Sequence, residues 1–191
     1  MKTPESDRIR LDFLRSQDYP VLNRLGMTSA PGKRFRGSIT GDQARLALTD
    51  DIRHLRDHYE VDALVSLVEN EELRQLGIEA IEQTCRDQGL ELLQFPIKDR
   101  STPDSLDKFT ELIISIRANL SSGHLFAIHC HAGLGRTGMT AACAAIAISN
   151  GDIDGVRAID MVRIARPGTV ETEGQEKFVV EFARHWRSVE Q

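Results

Sequence analysis

One stretch of the chain, HCHAGLGRTG at residues 129–138, combines reactive residue types with a spacing that suits phosphate chemistry. Five residues separate Cys130 from Arg136, which is enough for the backbone to curl around one tetrahedral anion. The glycines let consecutive backbone N–H groups point inward, and a helix beginning after the loop favours negative charge at its N-terminus. This pattern predicts a phosphate-binding cradle with a thiol inside it.

Cys130 and Arg136 have complementary chemistry in such a cradle. A guanidinium grips two phosphate oxygens in a bidentate fork that a lysine ammonium does not reproduce. The inward-pointing dipoles favour the thiolate form of a cysteine, and a thiolate is the nucleophile that phosphoryl transfer to sulfur requires. The loop is therefore predicted to bind a phosphoryl group and to attack it.

The same loop also satisfies the dinucleotide-binding pattern G-x-G-x-x-G, through Gly133, Gly135 and Gly138. That fingerprint needs a following strand with an acidic residue at its end, about 20 residues further on. The chain there reads SNGDIDGVRAIDMVRIAR, which has a helical pattern. The context argues against a dinucleotide site.

A metal site is the second alternative, because His129, Cys130 and His131 are adjacent. Adjacent residues in an extended chain point to opposite faces, so the three side chains do not converge easily on one ion. A buried structural cysteine suits Cys85 and Cys143, but for Cys130 it leaves the neighbouring arginine and glycines unexplained. We therefore predict no metal and no cofactor.

Strands and helices alternate along most of the chain. Short apolar runs predict buried strands at Ala63–Val68, Leu90–Ile97 and Leu125–His129. Six segments show a helical pattern: Thr49–Glu60, Leu73–Gly89 with a break near Gly77, Ser105–Leu120, Arg136–Ile148, Ile153–Ala165 and Thr172–Val189. The alternation predicts an α/β domain with a central, mostly parallel sheet of about four to five strands flanked by helices. Active sites in such sheets lie at the carboxyl ends of strands, where the cradle falls.

The length of 191 residues fits a single domain spanning the whole chain. Residues 1–40 lack sustained periodicity, and we expect them to form a lead-in that packs on a catalytic core of residues 41–191. Within the lead-in, MTSAPGKRFRG is expected to border the pocket.

Composition excludes several classes of protein. The 24 basic and 29 acidic residues give a net charge of −5, which argues against a nucleic-acid binder. No apolar run approaches the ~20 residues of a membrane span, and the charged N-terminus lacks the apolar region of a secretory signal. Three cysteines are too few for a disulfide framework. We expect a cytoplasmic monomer in a reducing compartment, without nucleic-acid or membrane partners.

Three segments together resemble a known family over roughly residues 60–185. HCHAGLGRTG resembles the His-Cys-x-x-Gly-x-x-Arg-Ser/Thr signature of the cysteine-dependent protein tyrosine phosphatases, in particular the dual-specificity branch. Phe95–Asp99 (FPIKD) resembles the loop that carries the general-acid aspartate of that family. Arg166–Val170 (RPGTV), followed by Gln175, resembles a late segment of the cyclin-dependent kinase inhibitor 3-like phosphatases. The combination is most similar to the last of these groups.

The resemblance implies a role for each residue that matches the motifs. Cys130 would attack phosphorus to form a cysteinyl-phosphate, and Arg136 would bind the phosphoryl oxygens. Asp99 would protonate the leaving oxygen; Asp104 is a rival that better suits the N-cap of the next helix. Thr137 would donate a hydrogen bond to the sulfur. Gln175 would position the hydrolytic water. His129 and Gly138 would support the loop, and the anion site would be lined by the backbone of His131, Ala132, Gly133, Leu134, Gly135 and Arg136.

The resemblance also implies a phosphorylated protein as substrate. No Lys-Asn-Arg-Tyr segment of the classical tyrosine phosphatases is present, so a shallower pocket for phosphotyrosine and phosphoserine or phosphothreonine is expected. Lys98 and Arg100 flank Asp99, where they either attract an acidic substrate or form solvated surface. The alternatives are a small phosphorylated metabolite, nucleotide or phosphoinositide, although His131 and Leu134 stand where inositol-phosphate relatives often have lysine. An inactive module that binds phosphorylated partners is the non-enzymatic alternative, and a regulatory disulfide from Cys130 to one of the other two cysteines stays open.

Overall fold

The computed structural model describes residues 8–33 and 42–189, and its centre is a five-stranded sheet. The strands are β1 (Asp12–Phe13), β2 (Leu25–Thr28), β3 (Ala63–Ser66), β4 (Glu91–Gln94) and β5 (Phe126–His129). They lie in the order β1-β2-β5-β3-β4; β1 is antiparallel to β2 and every other pair is parallel. The prediction of an α/β fold with a mostly parallel sheet is confirmed.

Seven α-helices surround the sheet in the described residues. They are α1 (Asp42–Tyr59), α2 (Asn70–Leu76), α3 (Ile81–Asp87), α4 (Leu106–Ser121), α5 (Gly135–Ile148), α6 (Gly155–Ala165) and α7 (Glu173–Val189). α5 is apolar nearly all round because it is enclosed by α4, α6 and α7. None of the helices in the described ranges is long and apolar enough to cross a membrane.

The ends of the short helices follow from local chemistry. α2 ends at Gly77, whose φ of 67° is the left-handed cap conformation that glycine adopts without strain. The break predicted near this glycine is therefore confirmed. α4 is capped by Ser105, whose hydroxyl accepts a hydrogen bond from the Lys108 N–H at 3.3 Å. The expected capping role of Asp104 is wrong, since the following residue supplies the cap.

The N-terminal segment differs most from its prediction. Instead of only packing on the core, its described part contributes β1 and β2 to the sheet. β1 has two residues, and β2 (LGMT) is too short to show a period. α1 begins at Asp42 instead of Thr49, and the Thr49 hydroxyl donates to the Arg45 carbonyl at 2.9 Å, a contact of the helix interior and not of an N-cap. The predicted boundary between residues 40 and 41, and residues 34–37 of the stretch expected at the pocket, lie outside the described residues.

Candidate active site

The cradle lies where the central strand of the sheet ends. β5 stops at His129, which is in register with Thr28 at the end of β2 and with Ser66 at the end of β3. Residues 130–134 then form a loop that leads into α5. Because four parallel strands end at this edge, segments distant in the chain meet around the loop.

The loop has the geometry of an anion-binding nest. Within the described part of the chain, the backbone N–H groups of residues 131–134 find no hydrogen-bond acceptor. Gly133 has a φ of +74°, and a Cβ at this position would lie 2.2 Å from the carbonyl oxygen of Thr28. Only glycine fits there, and consecutive donors beside a helix N-terminus favour a bound anion.

Cys130 lies at the start of this loop with only 3% of its surface exposed, and it forms no disulfide. The other two cysteines are also free and buried. Burial raises the pKa of Cys85 to about 12, and it also raises the pKa of Cys143. These two thiols therefore stay protonated at neutral pH, as expected for structural cysteines. A disulfide to Cys130 remains a prediction.

Arg136 is buried beside the cradle, and its guanidinium is held from several sides. Its Nη1 and Nη2 donate to the two carboxylate oxygens of Glu72 at 2.6 and 2.7 Å. Nη1 also donates to the carbonyl oxygen of Ile97 at 2.8 Å. Burial lowers the pKa of Arg136, but the hydrogen bonds to Glu72, together with the nearby charges of Cys130, Glu72 and Asp99, outweigh burial and raise the pKa overall. The guanidinium is therefore permanently charged and pre-oriented, and its Nε donates to no acceptor within residues 8–33 and 42–189.

Asp99 reaches the same guanidinium from the loop after β4. Its Oδ1 accepts a hydrogen bond from Arg136 Nη2 at 2.9 Å, while 63% of the Asp99 side chain remains exposed. The structure therefore brings together Cys130, Arg136 and Asp99, which are the three residues on which the predicted chemistry depends. Asp104 is exposed and has no such contact.

Glu72 is a site residue that the sequence interpretation missed. Its Oε2 also accepts the backbone N–H of Glu69 at 3.0 Å, so the first turn of α2 orients the carboxylate toward Arg136. Burial would raise the pKa of Glu72, but the hydrogen bonds from Arg136 and from Glu69 lower it. The carboxylate stays ionised. The available signal was its position just after the buried strand β3, at the same sheet edge as the cradle.

Thr137 and Gln175 are both fully buried at the site, with different outcomes for their predicted contacts. The Thr137 hydroxyl has no hydrogen-bond partner in the described residues, so its predicted bond to the Cys130 sulfur is absent. Thr137 lies in the first turn of α5, so the helix fixes its backbone position without that bond. The Gln175 amide accepts from the Glu171 N–H at 3.0 Å and donates to the Ser101 carbonyl at 3.2 Å. Through these two bonds, Gln175 connects the late segment to the loop that carries Asp99, next to Gly135.

His129 and Gly138 support the loop from below. His129 is completely buried, and its Nδ1 lies 3.2 Å from the Cys130 carbonyl oxygen. Burial lowers the pKa of His129 to about 4, so the ring is neutral and Nδ1–H donates to that carbonyl. At Gly138, a Cβ would lie 2.5 Å from the Thr169 Cβ, which shows how closely α5 approaches the late segment.

Two residues of the late segment form hydrogen bonds with the cradle, and the sequence interpretation did not select either of them. Arg166 Nη2 donates to the Ala132 carbonyl oxygen at 3.2 Å. Glu171 Oε2 accepts the Gly135 N–H at 2.8 Å. Glu171 therefore occupies a donor that was predicted to face the anion, and a bound phosphoryl group would compete with it.

The chemistry of the site is that of an anion pocket with a thiol, a cation and a carboxyl group. Across residues 8–33 and 42–189, no three His, Cys, Asp or Glu side chains are grouped to hold a metal ion. The polar groups that converge are instead backbone donors and one guanidinium, which bind tetrahedral anions. A carboxyl group beside that guanidinium, such as Asp99, can transfer a proton to a leaving group.

Comparison with known proteins identifies a phosphatase family. A family model described as "Polymorphic toxin system, DSP-PTPase phosphatase" matches residues 40–151. Cyclin-dependent kinase inhibitor 3 of Rattus norvegicus is 27% identical over 179 residues, which cover 93% of this chain and 80% of that protein. A crystal structure of kinase associated phosphatase, with its catalytic cysteine replaced by serine, superimposes with a TM-score of 0.80. It is 23% identical and covers 94% of this chain and 96% of its own.

A second curated relative is much longer than this chain. Protein tyrosine phosphatase domain-containing protein 1 of Danio rerio is 36% identical over 96 residues, or 50% of this chain. The match spans 13% of the length of that relative. The similarity therefore concerns half of this chain and a small part of that relative.

Proposed function

Because the chain belongs to the DSP-PTPase phosphatases, a dual-specificity branch of the cysteine-dependent protein tyrosine phosphatases, we propose that it dephosphorylates phosphotyrosine and phosphoserine or phosphothreonine in proteins. The observation that carries this proposal is the meeting of three groups at one sheet edge. Arg136 is oriented by Glu72, contacts Asp99 at 2.9 Å, and follows the loop that begins with Cys130. This arrangement supports an intact catalytic site more than a binding module.

In the first step, the Cys130 thiolate attacks phosphorus. The S–P bond forms as the bond to the leaving oxygen breaks, and that oxygen takes the proton of Asp99. Arg136 and the free N–H groups of residues 131–134 stabilise the charge on the three phosphoryl oxygens, which is usually the largest contribution to catalysis. The entering phosphoryl group competes with Asp99 for Nη2 of Arg136, which frees the carboxyl group to face the leaving oxygen.

In the second step, a water molecule attacks the cysteinyl-phosphate. Asp99, now ionised, accepts a proton from the water, and the S–P bond breaks to return the thiolate and release inorganic phosphate. The Gln175 amide lies against Gly135 at the edge of the cradle, a position from which it can orient that water. The Thr137 hydroxyl, which lacks a partner in the described residues, is available to the departing sulfur.

The test is hydrolysis of phosphotyrosine and phosphothreonine peptides in EDTA, compared with p-nitrophenyl phosphate. We expect all three to be hydrolysed, and Asp99→Asn to lower kcat/KM, which reports the first step alone, by about 10²–10⁴-fold for the phosphothreonine peptide. The loss for p-nitrophenyl phosphate should be much smaller, because nitrophenolate leaves without a proton. Asp104→Asn is the matched control and should behave as wild type. An equal loss for both leaving groups would remove Asp99 from the role of acid.

A further inference from the structure

Cationic side chains stand on both sides of the cradle, although the chain as a whole is acidic. Lys33 follows β2, and Lys98 and Arg100 follow β4. In the sheet order β2-β5-β3-β4, the cradle after β5 lies between these two positions. The three cations therefore flank the phosphoryl site along one sheet edge.

Lys33 is attached directly to the cradle. Its Nζ lies 3.2 Å from Nδ1 and 3.4 Å from the carbonyl oxygen of His131, the residue after the nucleophile. The carbonyl of the same residue also accepts the Ala30 N–H at 3.3 Å. The ammonium is half-buried; burial lowers the pKa of Lys33, and the nearby Cys130 opposes that shift.

The turn that carries Lys33 is built to stay in place. The Gly32 N–H donates to the buried carboxylate of Asp51 on α1 at 2.7 Å. Gly32 has a φ of +80°, and a Cβ there would lie 2.9 Å from Ile78 and 3.1 Å from the Leu48 backbone. A turn with these contacts holds the ammonium against His131 in the cradle.

On the other side, Lys98 and Arg100 flank the proposed acid and are exposed. Neither side chain has an ion-pair partner in the part of the chain that the structure describes. By contrast, the exposed Arg86 pairs with Glu82 at 2.8 Å. The two cations beside Asp99 are thus available to an incoming anion.

The span between the two sides indicates the shape of that anion. Neighbouring strands lie about 4.8 Å apart, so β2 and β4 are separated by roughly 14 Å. The separation of roughly 14 Å refers to the strands: the Lys33 ammonium lies at the cradle itself, within 3.4 Å of the His131 carbonyl oxygen. An extended peptide rises roughly 3.3 Å per residue, so Lys33 is within reach of a residue close to the phosphorylated one.

We propose that Lys33 on one side, and Lys98 and Arg100 on the other, select phosphopeptides with acidic residues on both sides of the phosphorylated residue. This inference rests on the proposed phosphoprotein phosphatase function. Because β5 is adjacent to β2 and two strands from β4, Lys33 contacts an acidic residue within about two positions, and the other pair one about three positions away.

The experiment compares four synthetic phosphotyrosine peptides of equal length. One has Asp on both sides of the phosphotyrosine, one has Asn at the same positions, and two carry Asp on a single side. We expect wild type to favour the fully acidic peptide over the Asn peptide by about tenfold in kcat/KM at low salt. The preference should shrink as the salt concentration rises.

Each variant should remove the preference for one side only. Lys33→Ala should make kcat/KM insensitive to Asp on one side of the phosphotyrosine, and Lys33→Arg should restore most of that sensitivity. The double variant Lys98→Ala with Arg100→Ala should do the same for the opposite side. Arg86→Ala removes one positive charge away from the site, as Lys33→Ala does at the site, and should keep the wild-type preference.

The results that overturn the inference differ from those that overturn the proposed function. Equal turnover of all four peptides by wild type, or a preference that Lys33→Ala leaves intact, overturns the inference alone. Failure on every phosphopeptide, with hydrolysis of a phosphatidylinositol phosphate in vesicles, overturns both.

Discussion

At the scale of single residues, the site depends on one buried cation whose environment is supplied from outside the signature. Arg136 has 1% of its side chain exposed, and the bidentate contact to Glu72 compensates the cost of burying its charge. Planar guanidinium–carboxylate pairing also fixes the orientation of the donors that remain for the phosphoryl group. Glu72 is thus a positioning residue that acts through Arg136.

We expect Glu72→Gln to lower kcat/KM for p-nitrophenyl phosphate by about 10- to 100-fold, since a misplaced catalytic group costs up to about this much. Steady-state kinetics with wild type and variant give the comparison. Glu71→Gln is the matched control, because Glu71 is next to Glu72 in the sequence but is exposed and pairs with Arg74 on the helix surface. If both substitutions have the same small effect, Glu72 does not position the guanidinium.

His129 makes stability depend on pH in a defined direction. Its pKa is about 4 in the folded protein and about 6.5 when unfolded, so the unfolded chain binds more protons between these values. The stabilisation is complete above the unfolded pKa and is lost as pH falls toward 4. From pH 7 to pH 5 this residue alone should lower the free energy of unfolding by about 2 kcal/mol.

Urea unfolding of wild type and His129→Asn at the two pH values isolates this contribution. The variant should lose about 2 kcal/mol less than wild type on acidification, whatever its absolute stability. His124→Asn changes an exposed histidine and should keep the wild-type dependence. Identical slopes for wild type and His129→Asn would show that His129 is not a buried neutral group.

At the scale of elements, the cradle is shaped by contact between β2 and the loop after β5. The Gly133 backbone passes so close to the Thr28 carbonyl that no side chain fits between them. The strand before the loop, the glycines inside it and the helix after it are contiguous in sequence, so their arrangement could be predicted. The contact with β2 could not, because it depends on which strands become neighbours.

Gly133→Ala should lower kcat/KM by at least about a hundredfold, because the added Cβ forces the donors of the cradle out of position. It should also abolish the rise in melting temperature that orthovanadate, an oxyanion mimic of phosphate, produces in wild type. Gly89→Ala is the control: it has a similar φ of +70°, but no atom within 4 Å of the added Cβ. It should cost about 1 kcal/mol of stability and leave the vanadate response intact. A vanadate response in Gly133→Ala would contradict the proposed geometry.

One physical cause explains why three residues of the site were not predicted from the sequence. Glu72, Lys33 and Glu171 come from three different segments, and each reaches the cradle only in the strand order that the fold adopts. Local patterns carry no information about that order. By contrast, Asp99 was predicted because a resemblance, not a periodicity, identified its loop.

At the scale of the whole molecule, side-chain contacts connect the N-terminal segment to the cradle, although the two are far apart in the sequence. Asp12 on the edge strand β1 accepts from Arg166 Nη1 at 2.6 Å, and the same guanidinium contacts the Ala132 carbonyl. Both side chains are largely buried, with 10% and 17% exposed. The pair therefore links β1, the late segment and the cradle, which explains why the first described residues belong to the catalytic unit.

Asp12→Asn should lower the free energy of unfolding by about 1–3 kcal/mol, because a mostly buried arginine loses its counter-charge. Urea unfolding at neutral pH provides the measurement. Asp18→Asn disrupts the exposed pair with Arg157 and should change stability by less than about 0.5 kcal/mol. Equal effects at both positions would mean that the Asp12 pair contributes no more than a surface ion pair.

The most direct test of the account is to trap the phosphorylated enzyme. The protein is mixed with a radiolabelled phosphotyrosine peptide, quenched in acid within a single turnover, digested and analysed by mass spectrometry. The account predicts phosphate on Cys130 in wild type and none in Cys130→Ser. Phosphate on another residue, or undiminished turnover by Cys130→Ser, would contradict it.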